Sequence, residues 1–303
     1  FVPFLKGKYE MLNTDKITKS PWRITLVTNP DECNLHCTLC FLKQSASPFG
    51  KGEMPFEVAE AAIRKYSACG LREVIPSTMG EPLLYSHFDE LILLCRELGI
   101  KLNVTTNGTF PGGLASWTDK LLSVCRDIKV SIWGLKKQTL QRLCPGLSLE
   151  EFVLNLERLS VARKELKKQG VLVSSLSLQM AVCKENRDEV TLVLNLASRL
   201  GFDRVKLNRA VFLSCAPEQM RKNLELDAED CYKEKSPMLV EGTFLYPMGK
   251  TSVRSCPFLG KELWVLPDGS LERCPDPENL YIYPSKGEKS CEKCQLFPKN
   301  SFL

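Results

Sequence analysis

The sequence predicts an α/β fold built on a parallel β-sheet, and three observations support this. Short apolar or β-branched runs alternate six times with longer helical patterns between residues 22 and 210. Loops with polar or cysteine residues follow several of the short runs, as expected at the carboxyl ends of parallel strands. Hydrophobic residues make up 44% of the 303 residues, enough for a large core. The units favour either an open doubly wound sheet or a barrel-type closure.

The predicted strands are runs of β-branched and apolar residues, and each intervening segment has helical periodicity. Connections of this length join parallel strands by right-handed crossovers, so the carboxyl ends of all strands lie at one edge of the sheet. Active-site loops collect at that edge. The strands are predicted over 23–27, 72–77, 101–106, 128–133, 171–182 and 204–208. The helices are predicted over 55–68, 87–98, 148–168 and 187–200, with another near 117–125.

The character of the sequence changes after about residue 250. Residues 261–274, KELWVLPDGSLERC, predict two short strands joined by a Pro-Asp-Gly turn. The rest is rich in Pro, Lys and Cys, and a segment of roughly fifty residues needs a metal as a staple because its core is small. We predict four parts: an N-terminal extension (1–21), the sheet-forming domain (22–211), a linker with helical parts (212–250) and a cysteine-rich segment (251–303).

Three of the 14 cysteines lie in one short loop, DECNLHCTLCFLK at residues 31–43, directly after the first predicted strand. Cys33, Cys37 and Cys40 are separated by three and then two residues. Thiolates are the usual protein ligands of iron–sulfur clusters and of zinc. Three thiolates can hold three irons of a cubane and leave the fourth iron open to a small molecule. The alternatives are a zinc site, with His36 offered as the fourth ligand, and plain buried cysteines.

The spacing Cys33-x3-Cys37-x2-Cys40 after a first strand, followed by further strand–helix units, resembles the radical S-adenosylmethionine (SAM) enzymes. The resemblance covers most of residues 22–210. It implies a partial (β/α)6 TIM-like barrel within the α/β class. It also implies a [4Fe–4S] cluster whose open iron is chelated by the amino and carboxylate groups of SAM.

The loops after later strands agree with this resemblance. MGEP at residues 79–82 resembles the Gly-Glu-Pro turn of the family, which contacts the SAM amino group. TTNG at 105–108 and VSIWG at 130–134 resemble the segments at the ends of strands three and four. The residue before the third cysteine packs near the adenine in the family, and here it is apolar. The resemblance therefore implies that Leu39, Gly80, Glu81, Pro82, Thr106, Asn107 and Ser131 line the SAM pocket.

The chain departs from the family at the place that meets the SAM carboxylate. Many relatives carry an arginine near an Arg-x-Gly segment after the fourth strand. Here the stretch is QRLCPG at 141–146, with Cys144 in that place and Arg142 nearby. A buried cysteine more often fills core than takes part in chemistry, so packing is the ordinary interpretation of Cys144.

Four cysteines form a second group in the C-terminal segment: Cys256, Cys274, Cys291 and Cys294. Gly269-x4-Cys274 and Cys291-x2-Cys294 resemble the Twitch segment, the shortened form of the SPASM domain of radical SAM enzymes. This implies one auxiliary [4Fe–4S] cluster. Four thiolates fill all four irons, so the expected role is electron transfer. The alternative is a structural zinc site with four thiolate ligands.

The resemblance implies an oxidoreductase that cleaves SAM to a 5′-deoxyadenosyl radical, abstracts a hydrogen atom from its substrate and passes an electron to the auxiliary cluster. The substrate would be a small molecule or a peptide, and the electron donor would be of the flavodoxin or ferredoxin type. Asn208 and Arg209 follow the sixth strand and could contact substrate or begin a solvated loop. Two alternatives remain: a radical SAM enzyme that modifies RNA, which MGEPLL also resembles, and a non-enzymatic zinc-binding module.

The sequence shows no secretory signal, and apolar runs such as LILLC at 91–95 are far too short to span a membrane. The net charge of +5 is mild, and the basic residues are scattered rather than clustered as in a nucleic-acid footprint. Fourteen cysteines in a chain of this length indicate metal or redox chemistry rather than a set of structural disulfides. We therefore predict a cytoplasmic protein with no membrane partner.

Overall fold

The computed structural model describes residues 20–44, 52–76, 79–248 and 261–272, and the structural statements below concern those residues. Its centre is one β-sheet of nine strands. The strands are β1 (Arg23–Leu26), β2 (Glu73–Pro76), β3 (Lys101–Thr106), β4 (Cys125–Ile132), β5 (Ser175–Val182), β6 (Arg204–Arg209), β7 (Leu239–Glu241), β8 (Glu262–Val265) and β9 (Leu271–Glu272). They lie in the order β7-β6-β5-β4-β3-β2-β1-β8-β9. All neighbouring pairs are parallel except β8 with β9.

A layer of helices packs against one face of this sheet. The layer consists of α2 (Phe56–Ser67), α3 (Phe88–Glu97), α4 (Ala115–Val124), α6 (Leu149–Lys168) and α7 (Val190–Leu200). Three shorter helices, α1 (Phe41–Gln44), α5 (Lys137–Leu143) and α8 (Glu218–Leu224), follow β1, β4 and β6. Apolar side chains from the strands join those of the helices in one large core, in which Ile24, Leu102, Ile128 and Leu178 are fully buried. This core accounts for the long apolar runs in the sequence.

The predicted parallel α/β sheet is confirmed, and all six predicted strands are present. The sheet is open, with β7 and β9 at its edges, so it is not a closed barrel. The fifth strand begins at Ser175 rather than at residue 171. The hydroxyl of Ser174 donates to the carbonyls of Leu122 and Cys125, at 3.0 and 2.8 Å, which fixes the turn into the strand.

The segments predicted as a linker and as a C-terminal appendage both contribute to the sheet. The linker supplies β7, whose Glu241 lies opposite Lys206 of β6. The predicted hairpin around the Pro-Asp-Gly turn is present as β8 and β9. β8 also pairs with β1 in parallel, with Glu262 opposite Arg23. The C-terminal segment is therefore hydrogen-bonded to the first strand of the chain.

The sheet face opposite the helices, which we call the open face, is polar. Side chains alternate between the two faces of a strand, so Asp127 and Lys129 of β4 share one face, as do Arg204 and Lys206 of β6. Asp127 contacts Arg204 at 3.9 Å, which places both pairs on the same side. Branched apolar residues fill the interior of a closed TIM barrel. Charged and hydroxyl side chains take their place here.

The longest helix, α6, begins with a side-chain cap, because Ser148 Oγ accepts the Glu151 amide at 3.3 Å. Glycine ends α7, where Gly201 takes a left-handed conformation that other residues adopt only at a cost. Within the described ranges, none of the helices combines the length and the apolar composition that a membrane crossing requires.

Candidate active site

The loop after β1 brings Cys33, Cys37 and Cys40 together at the carboxyl edge of the sheet. The loop is turned by a hydrogen bond from the Cys40 amide to the Cys37 carbonyl at 3.2 Å, and α1 begins directly after Cys40. All three thiols are half-buried, and the ten cysteines of the described residues are free. The loop thus presents three unpaired sulfurs within a short arc of backbone.

Each sulfur of the first two cysteines has N–H groups beside it. The Leu35 amide donates to Cys33 Sγ at 3.4 Å, and Asn107 Nδ2 lies 3.8 Å from the same sulfur. The indole nitrogen of Trp133 lies 3.2 Å from Cys37 Sγ. Such donors stabilise the negative charge of a thiolate.

The pKa of each of the three thiols is raised. Burial raises the pKa of Cys33, and it raises the pKa of Cys40 to about 11, with further increases from the neighbouring cysteines. A hydrogen bond with Cys144, whose sulfur lies 3.4 Å away, and then burial raise the pKa of Cys37. A bound metal must therefore displace protons from these groups.

This donor set fits an iron–sulfur cluster with one open iron. It consists of three nearby thiols, partly shielded from water, with N–H donors directed at the sulfurs. Each thiolate of a cluster binds a different iron, so the sulfurs need not converge on one point. Among the residues that the structure describes, no three His, Cys, Asp or Glu side chains converge on a single-ion site.

The MGEP turn after β2 is bonded to the cysteine loop through its backbone. The Glu81 amide donates to the Glu32 carbonyl at 2.8 Å, and Asn29 Nδ2 donates to the Glu81 carbonyl at 2.7 Å. Gly80 has a φ of +71°, and a Cβ there would stand 2.5 Å from the Glu32 carbonyl oxygen and would overlap that of Asn29. Only glycine fits at this close approach.

The Glu81 carboxylate ties this turn to the end of β3. It accepts the Thr106 hydroxyl and the Asn107 amide, both at 2.7 Å, and the Leu83 amide at 3.3 Å. Glu81 is buried, with 1% of its surface exposed to solvent. Burial raises the pKa of Glu81 to about 7, against the opposing effect of these hydrogen bonds. A neighbouring cation would favour its charged form.

Asn107 joins the third loop to the cysteine loop. Its Nδ2 donates to Asn34 Oδ1 at 2.8 Å in addition to its contact with Cys33, and its Oδ1 accepts the Thr109 amide at 3.0 Å. Three of the loops predicted to carry chemistry therefore form one hydrogen-bonded assembly.

The other predicted SAM residues take different positions. Leu39 is buried against Leu143, Cys183 and Phe212. Pro82 begins a short 3-10 helix and is buried. Ser131 is half-buried near the end of β4. Their contact with SAM stays a prediction.

The C-terminal end of α5 supports the cysteine loop from the other side. The Thr38 amide and hydroxyl donate to the carbonyls of Leu143 and Arg142, at 2.8 and 2.5 Å. The Arg142 guanidinium is paired with Glu185 at 2.7 Å. Cys144 follows these residues and is buried beside Cys37.

Asn208 and Arg209, which were predicted to follow the sixth strand, are the last two residues of β6, and their side chains make different contacts. Asn208 Oδ1 accepts the Thr243 amide at 3.3 Å, and its residue is half-buried. The Arg209 guanidinium donates to backbone carbonyls of residues 227, 228 and 230. These contacts hold the Arg209 side chain against the backbone of the segment that follows α8, and contact of Arg209 with substrate stays a prediction. Contact of Asn208 with substrate stays a prediction.

Sequence reasoning missed Asn29 and Trp133 as parts of this site. Both residues follow the carboxyl end of a strand: Asn29 comes after β1, and Trp133 comes after β4 in the segment VSIWG. Their position at the carboxyl edge was the available signal. The four cysteines Cys256, Cys274, Cys291 and Cys294 lie outside the described residues, so the predicted auxiliary site stays a prediction.

Comparisons of sequence and fold with known proteins support this interpretation of the site. The profile of the Radical SAM superfamily matches residues 27–197, more than half of the chain. An S-adenosylmethionine-dependent nucleotide dehydratase from Lacinutrix mariniflava is 37% identical over 82 residues. This match covers 25% of this chain and 17% of that protein. A tungsten-containing aldehyde ferredoxin oxidoreductase cofactor-modifying protein from Pyrococcus furiosus is 21% identical over 193 residues, 62% of this chain and 51% of that protein.

The chain thus spans about a sixth and about half of the lengths of these two relatives. Among solved structures, Streptococcus suis SuiB bound to precursor peptide SuiA superposes with a TM-score of 0.67 at 14% identity. The superposition covers 94% of this chain and 66% of SuiB, and it shows a shared fold. With the loop geometry and the superfamily match in agreement, the chain belongs to the radical SAM superfamily.

Proposed function

We propose that Cys33, Cys37 and Cys40 hold a [4Fe–4S] cluster that binds SAM at its open iron. The observation that carries the proposal is the bonded assembly of three strand-end loops, in which Asn107 and Glu81 connect directly to the cysteine loop. Superfamily membership favours this over a zinc site with His36 and over a non-enzymatic zinc-binding module. When bound, cluster and SAM supply a 5′-deoxyadenosyl radical that removes a hydrogen atom from substrate.

The residues of the chain position and shield this chemistry. Glu81 offers a buried carboxylate to the SAM ammonium, and Asn107 and Thr106 hold that carboxylate in place. Leu39, Gly80 and Pro82 shape the adjoining wall, with Ser131 at the end of β4. The domain of residues 22–211 carries this site in our proposal.

The overall reaction that we propose is an oxidation of a small molecule or a peptide. The substrate would lose a hydrogen atom to the 5′-deoxyadenosyl radical and would then release a proton. The remaining electron would pass to an auxiliary cluster held by Cys256, Cys274, Cys291 and Cys294. In this proposal the chain would be a member of the SPASM/Twitch subgroup with one auxiliary cluster. SuiB, which shares the fold, is bound to a precursor peptide, and this supports a peptide as one substrate class. A flavodoxin- or ferredoxin-type protein would supply the first electron.

Dehydration is the second candidate, because the match of 82 residues is to a nucleotide dehydratase. A dehydration has no net loss of electrons and needs no acceptor cluster. The mass of the product separates the two reactions, since an oxidised product is lighter by two hydrogens and a dehydrated product by one water. Transfer of a methyl group to RNA would contradict both and would favour the RNA-modifying alternative.

The test is anaerobic reduction of the full chain with SAM and a substrate panel, followed by mass spectrometry of 5′-deoxyadenosine. We expect iron and sulfide in the protein and substrate-dependent 5′-deoxyadenosine. Replacing Cys33, Cys37 and Cys40 by Ala should abolish 5′-deoxyadenosine formation and lower the iron and sulfide content to that of the auxiliary cluster. The exposed Cys69 provides the matched control, because Cys69→Ser removes a thiol that follows α2, outside the cysteine loop. A colourless wild-type protein or a zinc-loaded loop would overturn the proposal.

A further inference from the structure

The open face carries five charged side chains that the proposed chemistry does not use. They alternate in sign in the order Lys129, Asp127, Arg204, Glu241, Lys206, and we call them the charge network. The successive nitrogen–oxygen distances are 3.5, 3.9, 3.7 and 3.8 Å. A cation stands at each end, so the network holds one more positive than negative charge.

Among the described residues, the group of charges that adjoins the network does not compensate this excess. Glu73 is paired with Arg23 at 2.5 Å and with Arg126 at 3.2 Å, and Arg23 is also paired with Glu262 at 2.7 Å. This adjoining group contains two cations and two carboxylates and is neutral. The excess positive charge therefore remains with the charge network.

The cations of the network have donor capacity to spare. Their ion-pair distances exceed the 2.7–3.2 Å range of direct N–H···O bonds. Arg204 Nε is buried and has no hydrogen-bond partner among the residues that the structure describes. The Lys206 side chain is 27% exposed and reachable from solvent. An acceptor from outside the chain would complete this arrangement.

Lys129 is affected by the same excess of positive charge. Its ammonium donates to Asn103 Oδ1, and its side chain is mostly buried. Burial lowers the pKa of Lys129 to about 8; Asp127 opposes the effect, and Lys206 adds to it. The charge of Lys206 repels that of Lys129 and so lowers its pKa, and an anion bound near both lysines would offset this repulsion.

The network lies beside the predicted SAM pocket. In the sheet register Ser131 is opposite Gln179, Gln179 is opposite Lys206, and Lys206 is opposite Glu241. Adjacent strands are about 4.8 Å apart, so the Lys206 backbone lies roughly 10 Å from that of Ser131 along this row. A small molecule that reacts beside SAM can reach this distance.

We propose that the substrate carries an anionic group, a carboxylate or a phosphate, which binds the open face at Lys206 and Arg204, with Lys129 behind them. The inference rests on the proposed function for the reaction and adds the chemical class of the substrate. One bound negative charge would neutralise the network and supply the missing acceptor. Glu241 would compete with the substrate for the same cations.

The test is calorimetric titration of anionic probes into the full chain, prepared anaerobically and saturated with SAM. The probes are inorganic phosphate, pyrophosphate and succinate, and glycerol serves as the neutral control. We expect saturable binding of phosphate probes or of succinate, weakening as salt is added. Lys206→Gln should weaken binding roughly tenfold, because a charge-assisted hydrogen bond is lost. Glu241→Gln should tighten it about threefold, because a competing carboxylate is removed.

The opposite signs of these two effects separate anion binding from a purely structural network. Lys206→Arg should restore most of the affinity, and Lys168→Gln, at an exposed lysine of α6, should change nothing. Lys129→Gln should also weaken binding, but Lys129 is buried, so the partly exposed Lys206 carries the test if that variant misfolds. Preference for phosphate or for succinate identifies the group, and either supports the proposal.

Three results would overturn the inference. The first is no saturable anion binding, and the second is equal binding by Lys206→Gln. The third is probe binding that appears only in a parallel titration without SAM, which would assign the site to the SAM carboxylate. Measurement of 5′-deoxyadenosine is independent of these titrations. Anion binding without SAM cleavage would reject the proposed function alone. SAM cleavage without anion binding would reject this inference alone.

Discussion

The indole nitrogen of Trp133 lies 3.2 Å from the sulfur of Cys37. An N–H group near a cluster ligand favours the more negative, reduced state of the cluster and so raises its reduction potential. We expect Trp133→Phe to lower the potential by about 40 mV, the equivalent of a hydrogen bond worth about 1 kcal/mol. An anaerobic redox titration followed by electron paramagnetic resonance measures the shift.

The control for this variant is Trp117→Phe on α4, whose indole donates to the Pro111 carbonyl at 2.6 Å, a bond that does not involve the cysteine loop. That substitution should reduce stability and leave the potential unchanged. An unchanged potential in Trp133→Phe would show that the indole does not interact with the cluster.

Cys144 is the fourth thiol near the cysteine loop, and its role can be separated from that of Cys37. We expect Cys144→Ala to retain the iron and sulfide of the first site, because packing accounts for its burial. Cys37→Ala should lose them. Iron analysis of both variants, with the C-terminal cysteines unchanged, makes the comparison. Iron loss in Cys144→Ala would indicate four thiolate ligands and no open iron for SAM.

The affinity for SAM should depend on pH through Glu81. Its pKa is raised to about 7 by burial, and only its charged form attracts an ammonium group. SAM binding should therefore tighten as the pH rises toward about 7 and then level off, with a slope of at most about tenfold per pH unit. Equilibrium titrations across this range should lose the slope in Glu81→Gln. A slope that persists in Glu81→Gln would assign it to another group.

The same carboxyl affects stability with a definite sign. The folded-state pKa of Glu81 lies above the ordinary value of 4.5, so the fold penalises the charged form. The free energy of unfolding should fall as the pH rises from about 4.5 to about 7, relative to Glu81→Gln. Glu189→Gln is the matched control, because Glu189 is a buried carboxyl that accepts the Leu135 and Lys136 amides at 2.6 and 2.9 Å. Chemical denaturation at several pH values tests this.

Gly80 should tolerate no side chain. In Gly80→Ala the new Cβ would meet two backbone carbonyls, which cannot move as a flexible side chain can. We expect a loss of more than about 3 kcal/mol of stability, or failure of the loop to form, with loss of iron. Gly70→Ala is the control, since Gly70 also has a positive φ but has open space around it. It should cost about 1 kcal/mol. Similar losses at the two sites would contradict the close approach.

The sequence predicted the six strand–helix units because their periodicity is local. β7 is three residues long, and its sequence carries no pattern of its own, so its pairing with β6 was not predictable. β8 was predicted as a strand, but its pairing with β1 joins segments that are far apart in the chain. Local patterns do not encode such partners.

The candidate site also combines features that the local sequence predicts with features that depend on distant parts of the chain. The spacing of Cys33, Cys37 and Cys40 was evident in one short loop. The position of Trp133 beside Cys37 depends on how the chain turns after β4, which a local pattern does not determine. The charges of Lys206 and Glu241 become meaningful only when the sheet register shows them as neighbours on one face.

The pairing of β8 with β1 has a consequence for engineering. The strand that precedes the cysteine loop has β2 on one side and β8 on the other, so its hydrogen bonding is complete only when the far end of the chain is in place. A chimera that exchanges C-terminal portions between homologous enzymes must carry a strand compatible with both neighbours. Otherwise the junction would leave an exposed sheet edge prone to intermolecular association directly beneath the cysteine loop.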